Sequence, residues 1–421
     1  MPLLGCIADD FTGATDLASM LVRNGMRTVQ LIGVPTAGTE VPQADAVVVA
    51  LKSRTAPVAS AVQESLAALA WLRAAGCRQY FFKYCSTFDS TTRGNIGPVA
   101  DALLHALGER FALICPAFPA NERTVYQGHL FVGSRLLNES GMEKHPLTPM
   151  TDADLVHLMA AQSTGEVGLI SYRTVAAGAE AIATALGELA GQGIRYGVVD
   201  ALDDGHLRAI GTAIAGQVLV TGGSGVAMGL PENFRRAGLL AANPDPGALP
   251  AVSGAAAILA GSCSRATRSQ IAAAERHLPV LRLDPLAQPD PEVLLTSALD
   301  WAGSRLGRIP VVIAASAAPE AVAALQERLG RQRAGELVEG VLARIAEALL
   351  ARGVRRLLVA GGETSGAVVS RLGVQRLRIG REIAPGVPWT LAEGTCGPLR
   401  LALKSGNFGG PEFFTQAFAE D

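Results

Sequence analysis

The sequence predicts an α/β protein of two domains, each built on a mostly parallel sheet, with a cleft between them. Three observations carry this expectation. The chain has 421 residues, more than one hydrophobic core ordinarily spans. Its composition is 49% hydrophobic but only 5% aromatic, the small-residue and branched-residue bias of buried parallel strands with closely packed helices. Short β-type runs also alternate with helix-type stretches along almost the whole chain.

Strands are expected at LLGCIA (3–8), ADAVVVAL (44–51), RQYFFKY (78–84), FALICPAF (111–118), EVGLIS (166–171), RYGVVDA (195–201) and GQVLVTGG (216–223). Helices are expected over 16–24, 58–75, 97–107 and 176–192. In the first of these, Leu17, Met20 and Leu21 form an i, i+3, i+4 stripe, and Asn24-Gly25 stops it. Around residue 239 the periodicity fails. LLAANPDPGALPAVSG mixes Pro, Gly, Asn and Asp and reads as a linker over 239–254 between domains at 1–238 and 255–421. A second series follows, with strands at AAAILAG (255–261), VLRLD (280–284), IPVVIAAS (309–316), RRLLVAGG (355–362), LRIG (377–380) and LRLALKSG (399–406). Its helices are expected over 266–277, 292–305, 335–352 and 367–372.

Charge and cysteine usage exclude several function classes. A net charge of −2 provides no basic field for nucleic acid or an anionic membrane surface. The six cysteines form no C-x-x-C pair and no Cys/His cluster at zinc spacing, and read as free thiols in a reducing cytoplasm. The N-terminus reaches Asp9 after a few apolar residues, unlike a signal peptide, and no apolar run has membrane-spanning length. Walker, protein-kinase, G-x-S-x-G and H-E-x-x-H patterns are missing. TGGSGVAMG (221–229) lacks the spacing of a dinucleotide fingerprint, which argues against an NAD-dependent dehydrogenase.

Ligands of open α/β sheets sit beyond the carboxyl ends of the strands, and those positions are unusually polar here. The first strand is followed by Asp9, Asp10, Thr12 and Gly13, the second by Lys52 and Arg54. After the third come Lys83, Ser86, Thr87, Asp89 and Arg93, and after the fourth PAFPANERTVYQG (116–128). Together they describe a small polar pocket for a ligand with several hydroxyls and a negative charge. In the second domain, Gly261, Ser262 and Ser264 separate a strand from a helix, as do Gly361, Gly362, Glu363 and Thr364, with Lys404 and Gly406 near the C-terminus. Glycine there lets a phosphate approach the backbone, and the helix N-terminus favours the anion. This pattern points to a nucleotide phosphate site.

Taken in order, GCIADDFTGATD, ALKSRT, FFKYCSTFDST, CPAFPANERTVYQGHLFV, HPLTPMTD, TGGSG, GSCSRAT, GGETSG and LKSGNFGG resemble the four-carbon acid-sugar kinases. The likeness runs from about residue 3 to about residue 415, with no departure at these motifs. Within the family it is strongest toward the branch that phosphorylates a 3-oxo acid at its 4-hydroxyl. Sister enzymes for threonate or erythronate share the motifs, and a non-catalytic sugar-acid sensor is the reading from another class. The resemblance implies an acid-sugar domain, an ATP domain, Mg2+-ATP as donor, and an acid sugar and ATP as the small-molecule partners. A homo-oligomer is compatible with it. One of Asp9 and Asp10 is then the base for the attacking hydroxyl, the other a hydroxyl ligand. Lys52, Arg54, Lys83 and Arg93 are the cations available to the substrate carboxylate, Arg being the better bidentate partner. Ser262, Ser264, Gly361, Gly362, Glu363, Thr364 and Gly406 are the expected ATP contacts, Glu363 serving Mg2+ through water or capping its helix. Metal ligands are otherwise unassigned. Asp16 reads as a first-turn dipole residue, Asp203-Asp204 as a solvated turn, and His129 and His145 as no base.

Overall fold

The computed structural model describes residues 1–145, 147–307, 309–394 and 397–419; Cys396 and Pro146 lie outside them. The chain divides into two compact units, Met1–Gly247 and Ala248–Asp421. Each unit is a layered α/β assembly.

The strands of the first unit are β1 (Leu4–Ala8), β2 (Thr28–Ile32), β3 (Ala46–Ala50), β4 (Gln79–Lys83), β5 (Ala112–Ile114), β6 (Arg123–Tyr126), β7 (His129–Val132), β8 (Arg135–Leu136), β9 (Val167–Ile170), β10 (Tyr196–Val199) and β11 (Leu219–Gly222). Its helices are α1 (Phe11–Arg23), α2 (Val58–Ala74), α3 (Ile96–Leu107), α4 (Leu155–Gln162), α5 (Tyr172–Ala176), α6 (Ala179–Gly191), α7 (Asp204–Ala213) and α8 (Leu230–Arg236). The main sheet has the order β11-β4-β1-β3-β2 with every pair parallel. β1 is buried along its length, which explains its unbroken apolar run. A second parallel sheet runs β5-β10-β9, and an antiparallel one runs β6-β7-β8. The β6–β7 hairpin turns through Gln127 and Gly128, with φ of 51° and 74°, the left-handed pair a primed two-residue turn needs.

The second unit contains β12 (Ala255–Ala260), β13 (Val280–Arg282), β14 (Val311–Ala314), β15 (Val354–Ala360), β16 (Val374–Ala384), β17 (Val387–Gly394) and β18 (Leu399–Lys404). Its helices are α9 (Arg265–Ala274), α10 (Pro291–Gly303), α11 (Pro319–Leu329), α12 (Arg331–Ala351), α13 (Gly362–Arg371) and α14 (Phe413–Gln416). Its strands lie in the order β16-β17-β18-β15-β12-β14-β13, parallel except where β17 runs against both neighbours. Ile258, Ile271, Val312, Leu358 and Ala402 meet in its core beneath Trp389 and Phe414. Among the described residues, no helix is long and apolar enough to cross a membrane.

Several elements differ from the sequence expectation. α1 starts at Phe11, not 16, because the Asp10 side chain caps it. α13 likewise starts at Gly362, five residues early. β2, the β6–β8 sheet, α4, α7, α8, α11 and β17 were not expected. Asp16 is therefore not a first-turn residue. It lies in the second turn, buried, and accepts from Ser224 Oγ at 2.6 Å. Asp203 is not merely in a solvated turn either: it caps α7 by accepting from the His206 amide at 2.9 Å.

Candidate active sites

In the first unit the parallel register brings the ends of β3, β1 and β4 side by side, with Ala8 opposite both Ala50 and Lys83. The next residue, Asp9, is held by the backbone on both sides. Its amide donates to Lys83 O at 3.1 Å, and its carbonyl accepts from the Ser53 and Arg54 amides at 3.0 and 3.2 Å. These bonds fix where the Arg54 side chain starts.

Arg54 compensates the adjacent aspartates at this strand end. Its Nε and Nη2 donate to Asp9 Oδ2 and Oδ1 at 3.0 and 2.9 Å, and Nη2 also donates to Asp10 Oδ1 at 2.7 Å. Its Nη1 lies 3.6 Å from Asp89 Oδ2. One guanidinium thus meets three carboxylates from two strand ends, holding Asp9 in the bidentate mode that suits arginine. The fork expected to be available to a substrate carboxylate is committed inside the protein.

The two adjacent aspartates differ. Asp10 also accepts from the Gly13 amide at 2.9 Å and Thr12 Oγ1 at 2.8 Å. Burial works against its ionisation, but Arg54, Lys83, Thr12 and Gly13 outweigh that and hold its carboxyl below the usual range. For Asp9 burial dominates, and Arg54 only partly offsets it, so its carboxyl is pushed up. The Asp10 side chain is 24% exposed and that of Asp9 8%, so Asp10 is the one that a ligand can reach. Gly13 has to be glycine here: a Cβ would stand 2.2 Å from Asp10 Oδ1.

Surrounding residues secure this cluster. Lys83 is buried and donates to Tyr84 O at 2.8 Å, its charge acting on Asp9 and Asp10. Asp89 accepts from Thr87 Oγ1 at 2.6 Å. Between them Phe88 adopts φ 49°, a left-handed conformation costly for an aromatic residue, with its ring packed edge-on to Tyr84 at 5.5 Å. Ser86 is partly exposed beside this turn, whereas Lys52 and Arg93 are exposed. Asn95, two residues beyond Arg93, donates through its side-chain amide to the Ser53, Arg54 and Ala56 carbonyls at 2.7, 3.2 and 2.8 Å. Its signal was absent because all three partners are backbone atoms some 40 positions away.

In the second unit three adjacent parallel strands end level, with Ala360 opposite both Ala260 and Lys404. The three glycine-bearing segments therefore come together. Gly361 N donates to Lys404 O at 2.8 Å and Ser262 N to Ala360 O at 3.1 Å. Gly361 has φ 129°, and a Cβ on Gly406 would stand 2.4 Å from Ser262 Oγ. Gly361 thus packs against the Ser262 backbone, and Gly406 against the Ser262 and Ser264 hydroxyls. No side chain caps α13, whose first residues are Gly362, the exposed Glu363 and the buried Thr364. Ser264 caps α9 through the Thr267 amide at 3.1 Å and donates to Gly406 O at 2.6 Å. Its hydroxyl therefore builds the site from within. Ser262 Oγ accepts from the Ser264 amide at 3.2 Å. Thr267 and Gln270 were missed as site builders, although Thr267 falls within GSCSRAT; they bond the carbonyls of Gly406 and of Phe408 to Gly410.

His129 bonds its neighbour's carbonyl, Gln127 O, and His145 bonds Thr148. Neither partner belongs to these clusters. Among the described residues, no group of three or more His, Cys, Asp or Glu side chains could hold a metal.

Comparisons with known proteins agree with this geometry. Residues 4–230 match the family model of a sugar-binding N-terminal domain, and residues 257–414 that of a nucleotide-binding C-terminal domain. The chain is 59% identical over 422 aligned positions to a 3-oxo-tetronate kinase of Cupriavidus necator, covering 100% of this chain and 97% of that one. It is 56% identical to one of Pseudomonas fluorescens, covering 100% and 97%, and 47% identical to one of Salmonella typhimurium, covering 99% of each. A crystal structure from Salmonella typhimurium, described provisionally as a tRNA synthase, superposes over 100% of both chains with a TM-score of 0.89 at 47% identity. A Haemophilus influenzae structure covers 98% of both chains with a TM-score of 0.76 at 44% identity.

Proposed function

The chain belongs to the 3-oxo-tetronate kinase family, with its sugar-binding and nucleotide-binding domains, and we infer that it transfers the γ-phosphoryl group of ATP to the 4-hydroxyl of 3-oxo-tetronate. The products are the 4-phosphate of that acid and ADP. The observation that carries this reading is full-length similarity to kinases of that name combined with two strand-end clusters, one acidic and one glycine-lined.

Each cluster has a part in the chemistry. Asp10, ionised and partly exposed, accepts the proton of the attacking 4-hydroxyl. Asp9 and Arg54 keep it in place, while Thr12, Ser86, Thr87 and Asp89 supply polar contacts for the remaining oxygens. Lys52 and Arg93, both exposed, meet the substrate carboxylate. In the donor site the amides of Gly362 and Glu363 at the uncapped start of α13 bind phosphate oxygens, with Ser262 and Thr364 adding hydroxyls, while the Gly361 amide stays bonded to Lys404 O. Gly406 lets the nucleotide approach the backbone.

ATP brings Mg2+ with it in this reading. That ion keeps several waters and needs few protein ligands when phosphates coordinate it, which fits a donor site whose acidic residue, Glu363, is exposed at the first turn of α13. It would neutralise phosphate charge, and Glu363 would reach it through water. The five free cysteines among the described residues suit a reducing, cytoplasmic setting.

The test is a coupled ADP assay with 3-oxo-tetronate, threonate and erythronate. Turnover is expected to be fastest with 3-oxo-tetronate. Faster turnover of threonate or erythronate would reassign the substrate, and no ATP consumption with any acid would favour a sugar-acid sensor.

A further inference from the structure

Lys404, the last residue of β18, is fully buried and yet charged by nature. Its Nζ lies within reach of four acceptors: Thr267 Oγ1 at 3.1 Å, Ser405 O at 3.0 Å, Gly406 O at 2.9 Å and Phe408 O at 3.1 Å. Three belong to the loop that follows it. An ammonium has three protons and no other side chain offers that number from one point, so one group satisfies three inward-facing carbonyls. Thr267 Oγ1 donates to Gly406 O as well, at 2.9 Å, which ties the loop to α9. Burying an ammonium is expensive, and an apolar residue of the same volume would fill the space without that cost. It would leave the carbonyls orphaned and the loop unset.

We propose that Lys404 is a positioning residue for the nucleotide: its ammonium holds the Ser405–Phe408 turn so that Gly406 lies against Ser262, and it thereby sets ATP affinity without touching the acceptor. The inference rests on the reading of the second unit as the ATP site. Gly406 packs directly on the Ser262 hydroxyl, where a Cβ would stand 2.4 Å from Oγ, so a displaced loop no longer presents the same surface.

The experiment compares the wild-type chain with K404M and T267V. Readouts are ADP titration calorimetry, steady-state kinetics and amide exchange over residues 404–410. For K404M the KM for ATP rises at least tenfold and ADP binding weakens equally, while kcat and the KM for the acid stay within threefold and loop exchange accelerates. T267V shifts the same quantities in the same direction by a few-fold. Folded K404M that binds ADP within twofold of wild type overturns the proposal. Should K404M fail to fold, unchanged ADP affinity in T267V overturns it and weakened affinity supports it. Wild-type protein that does not bind ADP at all defeats the nucleotide-site reading itself, an outcome distinct from equal binding by wild type and variants.

Discussion

At the ends of β1, β3 and β4 in the first unit, charged side chains gather: Asp9, Asp10 and Asp89 around Arg54. At the ends of β12, β15 and β18 in the second, backbone gathers instead, with Gly361 and Gly406 against Ser262 and Lys404 beneath the loop. Both sites use the same sheet geometry and one organising cation. Arg54 orders carboxylates by a planar fork, whereas Lys404 orders carbonyls by a point charge with three donors. The difference follows the tasks proposed for them. An acceptor hydroxyl needs an oriented base, so side-chain charge is placed. A polyphosphate needs a closely approaching row of amides, so side chains are removed.

The sharpest way to break the comparison is D10N. It should lower kcat by about a thousandfold, within the range of lost general-base catalysis, and leave ADP binding unchanged. Undiminished turnover would remove Asp10 from the base role. R54M should come next. Removing the cation from a buried carboxylate cluster costs about 3–5 kcal/mol of stability, seen as a lower midpoint in urea unfolding, together with most activity. In the other unit G406A places a Cβ 2.4 Å from Ser262 Oγ. Its KM for ATP should rise about tenfold, or ~1.4 kcal/mol, with the KM for the acid unmoved.

The smallest effect is on pH dependence. Burial drives the Lys404 ammonium from its ordinary 10.5 down to about 7. Below pH 7 the lysine is protonated both folded and unfolded, and the full cost of burying the charge is present. Between 7 and 10.5 the unfolded chain binds more protons, so wild-type stability rises with pH relative to K404M. Thermal unfolding at pH 6 and pH 9.5 should therefore favour K404M most at the lower value. A melting-temperature difference independent of pH would contradict the assignment.

The clusters were legible in sequence wherever a motif closed on itself, and illegible where a partner came from far along the chain. GCIADDFTG revealed the strand and the aspartates because an apolar run and charge are local, but the Asp10 cap, which starts α1 at Phe11, escaped. That Arg54 would be spent on Asp9 and Asp10 was hidden, since the ion pairs span 44 and 45 positions. β2 escaped because TVQLI carries Thr28 and Gln30, which look solvent-facing but are buried, Gln30 accepting from Thr15 Oγ1 at 2.9 Å. The hairpin of β6 and β7 escaped because neither RTVY nor HLFV alternates cleanly, and Gln127 is an unusual occupant of a left-handed turn. The strand-end glycines were legible, yet their reason, contact with neighbouring loops, needed three dimensions.

The acidic cluster also has a polarity. Three carboxylates face two cations, the partly exposed Arg54 and the buried Lys83, which leaves one excess negative charge in the cluster when all are ionised. Under the roles proposed above, a molecule with an anionic head and a neutral hydroxyl tail would meet a field that favours the tail, with the exposed Lys52 and Arg93 left for the head. On that proposal the sign of the field would orient the two ends of the acid before any shape recognition.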